Sequence, residues 1–235
     1  MSQMFPNHIY DEQLFEKTNT LALDLGILLG RICQQEPNGE SIKALYTVSS
    51  NILSMLNSDQ IAFSRKQKAY PQKTNEAILF FLDAYKSLPH LELIETARSD
   101  YMRLLVGIGD PLAAPWESVY QSSERSIFQA STLDVRRWFH NYGIRYEHEY
   151  TEPDDHIGVM LEFICHVLKN HIQSATPRDE HERPVAIAEF IQEHFLSWAE
   201  QWNDCIQQYA HTSYYKALGW EIILISVYLE QLIQN

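Results

Sequence analysis

The sequence predicts an all-α fold, and three observations carry that reading. Apolar residues recur at i, i+3 and i+4 spacing along most of the chain. No segment shows strand alternation, and no internal repeat is present. Only 8 of 235 residues are Gly, too few for a fold built on tight hairpins or phosphate loops. Apolar residues make up 45% of the chain, which places it among globular proteins. The length suits one large domain with a sizeable core. We expect one helical bundle domain over 1–235, with a hinge near 86–92 and an irregular loop over 107–120.

The first expected helix runs from Asp11 to Cys33, with Leu14, Phe15, Leu21, Ala22, Leu25, Leu28, Leu29 and Ile32 on one stripe. Pro37-Asn38-Gly39 ends it. Ser41 is the expected cap of a second helix, with Ile42, Leu45, Tyr46, Ile52, Leu53 and Leu56 facing inward. A short third helix is expected from Asp59 to about Lys68, stopped near Pro71. A fourth spans Asn75 to Lys86, broken by Pro89. Leu91 to Val106 follows, with Leu91, Ile94, Ala97, Tyr101, Leu104 and Leu105 in register. Its end is marked by Gly107 to Pro111. Residues 112–120, with a proline at each side, read as an irregular, rigid loop. Ser131 or Thr132 starts the next helix, which runs through Tyr142 and stops at Gly143.

The least ordinary stretch comes next. Tyr146-Glu147-His148-Glu149-Tyr150 leads into Thr151-Glu152-Pro153-Asp154-Asp155-His156, and no Lys or Arg occurs from Tyr146 to Glu162. Pro153 suits a first helical turn. Thr151 and Asp154 have the spacing of a capping box. Ile157, Met160, Leu161, Ile164, Val167 and Leu168 then recur at helical spacing. Asp154, Asp155 and His156 are therefore expected in the first turn of a buried-face helix, which favours carboxylates and disfavours a protonated imidazole. Residues 176–183 read as a mobile surface loop. Pro184 opens a long helix with Ile187, Ala188, Ile191, Phe195, Trp198, Trp202, Cys205 and Tyr209 on one face. The last helix, about Tyr214 to Ile233, is apolar on most sides and expected at the centre.

Charge and motifs exclude several classes. A net charge of −13 repels nucleic acid and attracts cationic peptides. The three cysteines, Cys33, Cys165 and Cys205, are scattered and form no C-x-x-C, so free thiols in a reducing compartment are expected. The N-terminus reads as no secretory signal, and no apolar run reaches the roughly 20 residues of a membrane span. No H-E-x-x-H, phosphate loop or G-x-S-x-G occurs.

Four segments in order resemble one family: Tyr101-Met102-Arg103-Leu104-Leu105-Val106-Gly107, Pro115-Trp116-Glu117-Ser118-Val119-Tyr120, Glu152-Pro153-Asp154-Asp155-His156 and His194-Phe195-Leu196-Ser197-Trp198. Together they resemble the TorD/DmsD/NarJ family of redox-enzyme maturation chaperones, on the DmsD side, over roughly residues 95–220. Ser126 to Tyr142 with Gly143-Ile144 adds to that likeness. Tyr101 and Tyr120 depart from it, standing where such proteins often carry Trp, as does Gly109-Asp110, which replaces a more apolar stretch.

The resemblance implies a cytoplasmic bundle of the TorD/DmsD type that is no enzyme and holds no cofactor. It implies binding of the twin-arginine leader of a molybdopterin oxidoreductase catalytic subunit, of the DMSO-reductase type, with export delayed until cofactor insertion. Tat translocase components are the further partners it allows. Carried onto this sequence, the leader-binding residues are Tyr101, Leu104, Leu105, Pro115, Trp116, Tyr120, Glu152, Asp155 and His156. The residues themselves offer carboxylates for guanidinium groups and an aromatic, aliphatic set for an apolar segment.

Plainer readings stand beside these. Asp154 and Asp155 can be first-turn acids, His156 a structural histidine, and Leu104 and Leu105 ordinary core. Two other functions stay open at this stage. One is a helical protein-interaction adaptor. The other is a metal-dependent hydrolase using His148, Asp155 and His156.

Overall fold

The computed structural model describes residues 12–57, 63–64, 67–107, 109–146, 152–173 and 182–234. No strand occurs among them. The helices are α1 (Glu12–Gln34), α2 (Gly39–Leu56), α3 (Tyr70–Ser87), α4 (His90–Tyr101), α5 (Glu117–Gln121), α6 (Ala130–Asn141), α7 (Ile157–Gln173), α8 (Glu182–Phe190), α9 (Ser197–Tyr209) and α10 (Ser213–Gln234). Two π-turns interrupt the pattern. Met102–Val106 continues α4, and Ile191–Leu196 joins α8 to α9.

The all-α expectation holds, and α10 is central. Every residue from Ala217 to Leu229 is buried, and α10 packs on α1, α2, α3, α8 and α9. That all-round burial is what a helix apolar on most sides requires. The other dominant pair is α1 on α7. Their backbones touch where Gly30 faces Gly158, since a Cβ on Gly30 would lie 2.6 Å from the Gly158 carbonyl oxygen. Two glycines thus bring the C-terminal end of α1 against the start of α7.

Several boundaries differ from expectation. Asn38, read as a terminator, is the N-cap of α2. Its side chain accepts from the Glu40 and Ser41 N–H groups, and the Ser41 hydroxyl accepts from the Asn38 N–H. Ser41 is therefore the third residue of a capping box rather than the cap. Pro71, read as a stop, lies in the first turn of α3, where a missing N–H costs nothing. The expected helix from Asp59 lies largely outside the described residues, and Gln67 to Ala69 form a turn. Leu28 and Leu91, placed on buried stripes, are 37% and 67% exposed. Leu23, Ile27 and Leu93 are buried instead. The loop after Gly107 is irregular only to Trp116, beyond which Glu117–Gln121 form one short helix. Gly107 does end the preceding segment, with φ +73°, a backbone that glycine adopts without strain. The helix expected from Pro153 begins only at Ile157. Thr151, the proposed capping partner, and residues 147–150 lie outside the described residues, as does most of the 176–183 loop.

Asp100 is a buried carboxylate beside the α9–α10 junction. Asp100 accepts from the His211 and Thr212 N–H groups and from the Thr212 hydroxyl, fixing the α9–α10 junction. It also pairs with Arg103 at 2.7 Å.

Candidate peptide-binding site

The acidic stretch is a turn, and four elements are fastened to it. Glu152 to His156 run as a bend and turn ahead of α7. Asp154 is fully buried and takes Arg136 of α6 on one oxygen, at 2.7 Å from Nε and 2.6 Å from Nη2. It is not a first-turn acid, because the helix starts three residues later and its counter-charge comes from α6. Asp155 is fully buried too. Its Oδ1 accepts from the Thr132 hydroxyl at 3.0 Å, and its Oδ2 accepts from the Ser118 N–H at 2.7 Å. Ser118 is the second residue of α5, so Asp155 supplies from another element the cap that Trp116, the N-cap residue, does not make.

Backbone bonds complete the clasp. The Glu117 N–H donates to the Asp155 carbonyl, and the Ile157 N–H donates to the Pro115 carbonyl. These two bonds form an isolated bridge between Trp116 and His156. His156 Nδ1 accepts from the Gly158 N–H at 3.0 Å, so the imidazole caps α7. Burial pushes its pKa down to about 4, so the ring is neutral at physiological pH and free to accept. Its ring meets Trp116 edge-on, with centroids 5.9 Å apart.

The Trp116 loop is held from its other side by α9 and the π-turn before it. His194 Nδ1 lies 3.1 Å from a Glu117 oxygen. Burial works to lower the His194 pKa, but the bond and charge of Glu117 outweigh it and raise it. Trp198 donates to the His194 carbonyl and stacks on Tyr120 at 5.2 Å. Trp202 donates to the Ala113 carbonyl, and the Ala113 N–H donates to the Leu104 carbonyl.

The nine expected binding residues therefore divide. Leu104, Leu105, Pro115 and Asp155 are buried. Tyr101, Trp116, Tyr120 and His156 are half-buried, and Glu152 is exposed. The exposed carboxylate joins this set to others. Tyr146 donates to Glu152 at 2.8 Å. Burial first, and then nearby charges that include Glu36 and Glu152, push the Tyr101 hydroxyl upward.

Next to this surface a cleft of about 330 Å³ opens. Its walls are Gln34 at the end of α1, Phe139, Ile144, Arg145 and Tyr146 at the end of α6, and Val159, Glu162, Phe163 and His166 on α7. The apolar stripe read from the sequence on α7 omits Val159 and Phe163. They share a second face at i and i+4, and that double face was the legible sign of the cleft. Arg136 carries no such sign, because nothing in the spacing separates it from its exposed neighbour Arg137.

Among the described residues, no group of three His, Cys, Asp or Glu side chains could hold a metal ion. His148 lies outside them. The three cysteines are free, as expected. Among the described residues, no helix is long and apolar enough to cross a membrane.

The site is thus a clasp in which buried acids of the turn before α7 hold a loop that carries half-buried aromatic side chains. The family profile described as nitrate reductase delta subunit matches residues 67–204, and the chain belongs to that family, the one the sequence resembles. A Haemophilus influenzae protein named "Probable Tat proofreading chaperone DmsD" is 29% identical over 127 residues, 54% of this chain and 57% of that one. The Salmonella typhimurium Tat proofreading chaperone DmsD is 27% identical over 143 residues, covering 59% and 65%. The Aliivibrio salmonicida chaperone protein TorD is 27% identical over 120 residues, covering 51% and 56%. The chain thus spans between half and two-thirds of the length of these relatives.

Proposed function

We propose that this protein is a cytoplasmic chaperone for the twin-arginine leader of a molybdopterin oxidoreductase subunit of the DMSO-reductase type. In this reading it holds the precursor back from Tat export until the cofactor is inserted and the subunit has folded. The observation that carries the reading is the clasp. Bonds from the acidic turn, the Ile191–Leu196 π-turn and α9 hold the Trp116 loop, and the exposed carboxylate Glu152 lies in that acidic turn. A leader offers a cationic start and an apolar middle. Carboxylates pair strongly with guanidinium groups, and an aromatic surface takes the apolar part. Family membership and the chaperone names of the relatives support the same reading.

The reading also divides the roles. Tyr101, Trp116, Tyr120 and Glu152 are the groups a leader can touch. Asp155, His156, Pro115, Leu104 and Leu105 hold them in place from beneath.

Titration calorimetry against a synthetic twin-arginine leader, with a version carrying two lysines, tests it. Saturable binding that weakens in the lysine version supports the chaperone reading. No binding to this leader or to those of related molybdoenzymes leaves the helical adaptor as the better account. Trp116→Ala is expected to cost on the order of 2 kcal/mol of binding, the usual scale for an aromatic anchor. Asp155→Asn is expected to weaken binding equally at low and high salt. Its carboxylate faces Ser118 and Thr132 rather than solvent, so screening does not reach it. A loss confined to low salt would make Asp155 a direct contact instead.

A further inference from the structure

Glu162 lines the cleft, and it already holds a guanidinium. Its Oε2 accepts from Arg31 Nε at 3.1 Å, and its Oε1 accepts from Gln34 Nε2 at 2.6 Å. The Arg31 side chain is 56% exposed and that of Glu162 is 20% exposed. Such a one-nitrogen pair, with its arginine more than half in water, contributes little. A carboxylate approached by both terminal nitrogens of an arginine is held far better. Each carboxylate oxygen has two acceptor sites, so Gln34 need not leave.

The walls suit the rest of an arginine. Val159, Phe163 and Tyr146 offer apolar and aromatic surface along which a three-carbon stem can lie. Arg145 lines the same cleft. The cleft is linked to the acidic turn by one bond, since Tyr146 lines it and donates to Glu152. Glu152 sits in the turn that carries His156, which touches Trp116.

We infer that this cleft is a subsite for one leader arginine, which docks on Glu162, and that Arg31 is an internal occupant displaced on binding. The inference rests on the chaperone reading and deepens it. It makes Arg31 an inhibitor built into the binding surface, so two substitutions across one ion pair should act in opposite directions.

The test is titration calorimetry of the full chain against the twin-arginine leader and against leaders with each arginine singly changed to alanine. Glu162→Gln is expected to weaken binding about tenfold, the loss of one charged partner. Arg31→Ala is expected to tighten it several-fold. Lys43→Ala on α2, an exposed site, makes the same change in net charge and should leave affinity within about twofold if screening leaves only local charges to act. One of the alanine leaders should lose its sensitivity to Glu162→Gln. Circular dichroism melts confirm that each variant is folded. If the wild-type chain binds but Glu162→Gln matches it, or Arg31→Ala binds no tighter than Lys43→Ala, the subsite is wrong and the chaperone reading stands. A wild-type chain that binds no leader overturns the chaperone reading, and this inference with it.

Discussion

Replacing Arg136 with alanine is expected to destabilise the fold by about 3–5 kcal/mol, the cost of leaving a buried charge without its partner. Asp154 has no solvent exposure, and Arg136 meets its Oδ2 through two nitrogens while itself only 18% exposed. Truncation removes the counter-charge but leaves the carboxylate where water cannot reach it. Urea unfolding of Arg136→Ala, Asp154→Ala and the double variant reads the effect. The double variant should lose less than Arg136→Ala alone, because the carboxylate that Arg136 neutralises is then gone as well. Equal losses for the double and the single variant would show that Asp154 is already neutralised elsewhere. The loss should extend to leader binding, since Asp154 lies in the turn to which the Trp116 loop is bridged.

Stability should also fall as pH rises from about 4.5 to about 8, and Glu221→Gln should abolish that part of the fall. Glu221 is fully buried on α10, with Ser49 donating to one oxygen at 2.5 Å and, among the described residues, no hydrogen-bond partner for the other. Burial pushes its pKa up to about 8, against the lowering effect of Ser49. The sign follows from proton counts. Below 4.5 both folded and unfolded states keep the proton. Between 4.5 and 8 the unfolded chain releases it while the folded chain does not, so stability declines with pH and then levels off. The full gap amounts to on the order of 5 kcal/mol. His156 acts oppositely. Its pKa of about 4 in the fold lies below the usual 6.5, so it makes stability rise with pH between those values. The difference between wild type and Glu221→Gln, measured from pH 5 to pH 8, isolates the carboxyl. A difference that stays constant with pH would mean Glu221 ionises at its ordinary value.

Arg136 and Glu221, on which the two expectations turn, carry no mark in the sequence, and the reason is general. Helical periodicity is a local property, so α1, α6 and α10 could be read to within a residue or two of their ends. The core also followed where one stripe faced one layer. It failed where a helix is covered on several sides, as at Leu28 and Leu23 on α1, or where a short helix tips its start into solvent, as at Leu91. The expected register from Ile187 to Tyr209 runs through the π-turn at Ile191–Leu196, which resets the phase. Ile187, Phe195, Trp198 and Trp202 are buried, but Tyr209 is 36% exposed.

The sequence by itself determined the all-helical class, the central last helix and the unusual density of acids and aromatics around Trp116 and residues 152–156. Those follow from composition and spacing along one stretch of chain. Only the tertiary structure decided what the acids do. Asp154 finds Arg136, Asp155 finds Ser118 and Thr132, Glu117 finds His194 and Glu162 finds Arg31. Most of these partners lie tens of residues apart, and Arg31 lies 131 residues from Glu162. Whether a carboxylate faces water or a buried donor depends on which helices cross, and that crossing is set by the packing of Gly30 on Gly158 and of α1, α2, α3, α8 and α9 around α10, not by the residues beside the carboxylate.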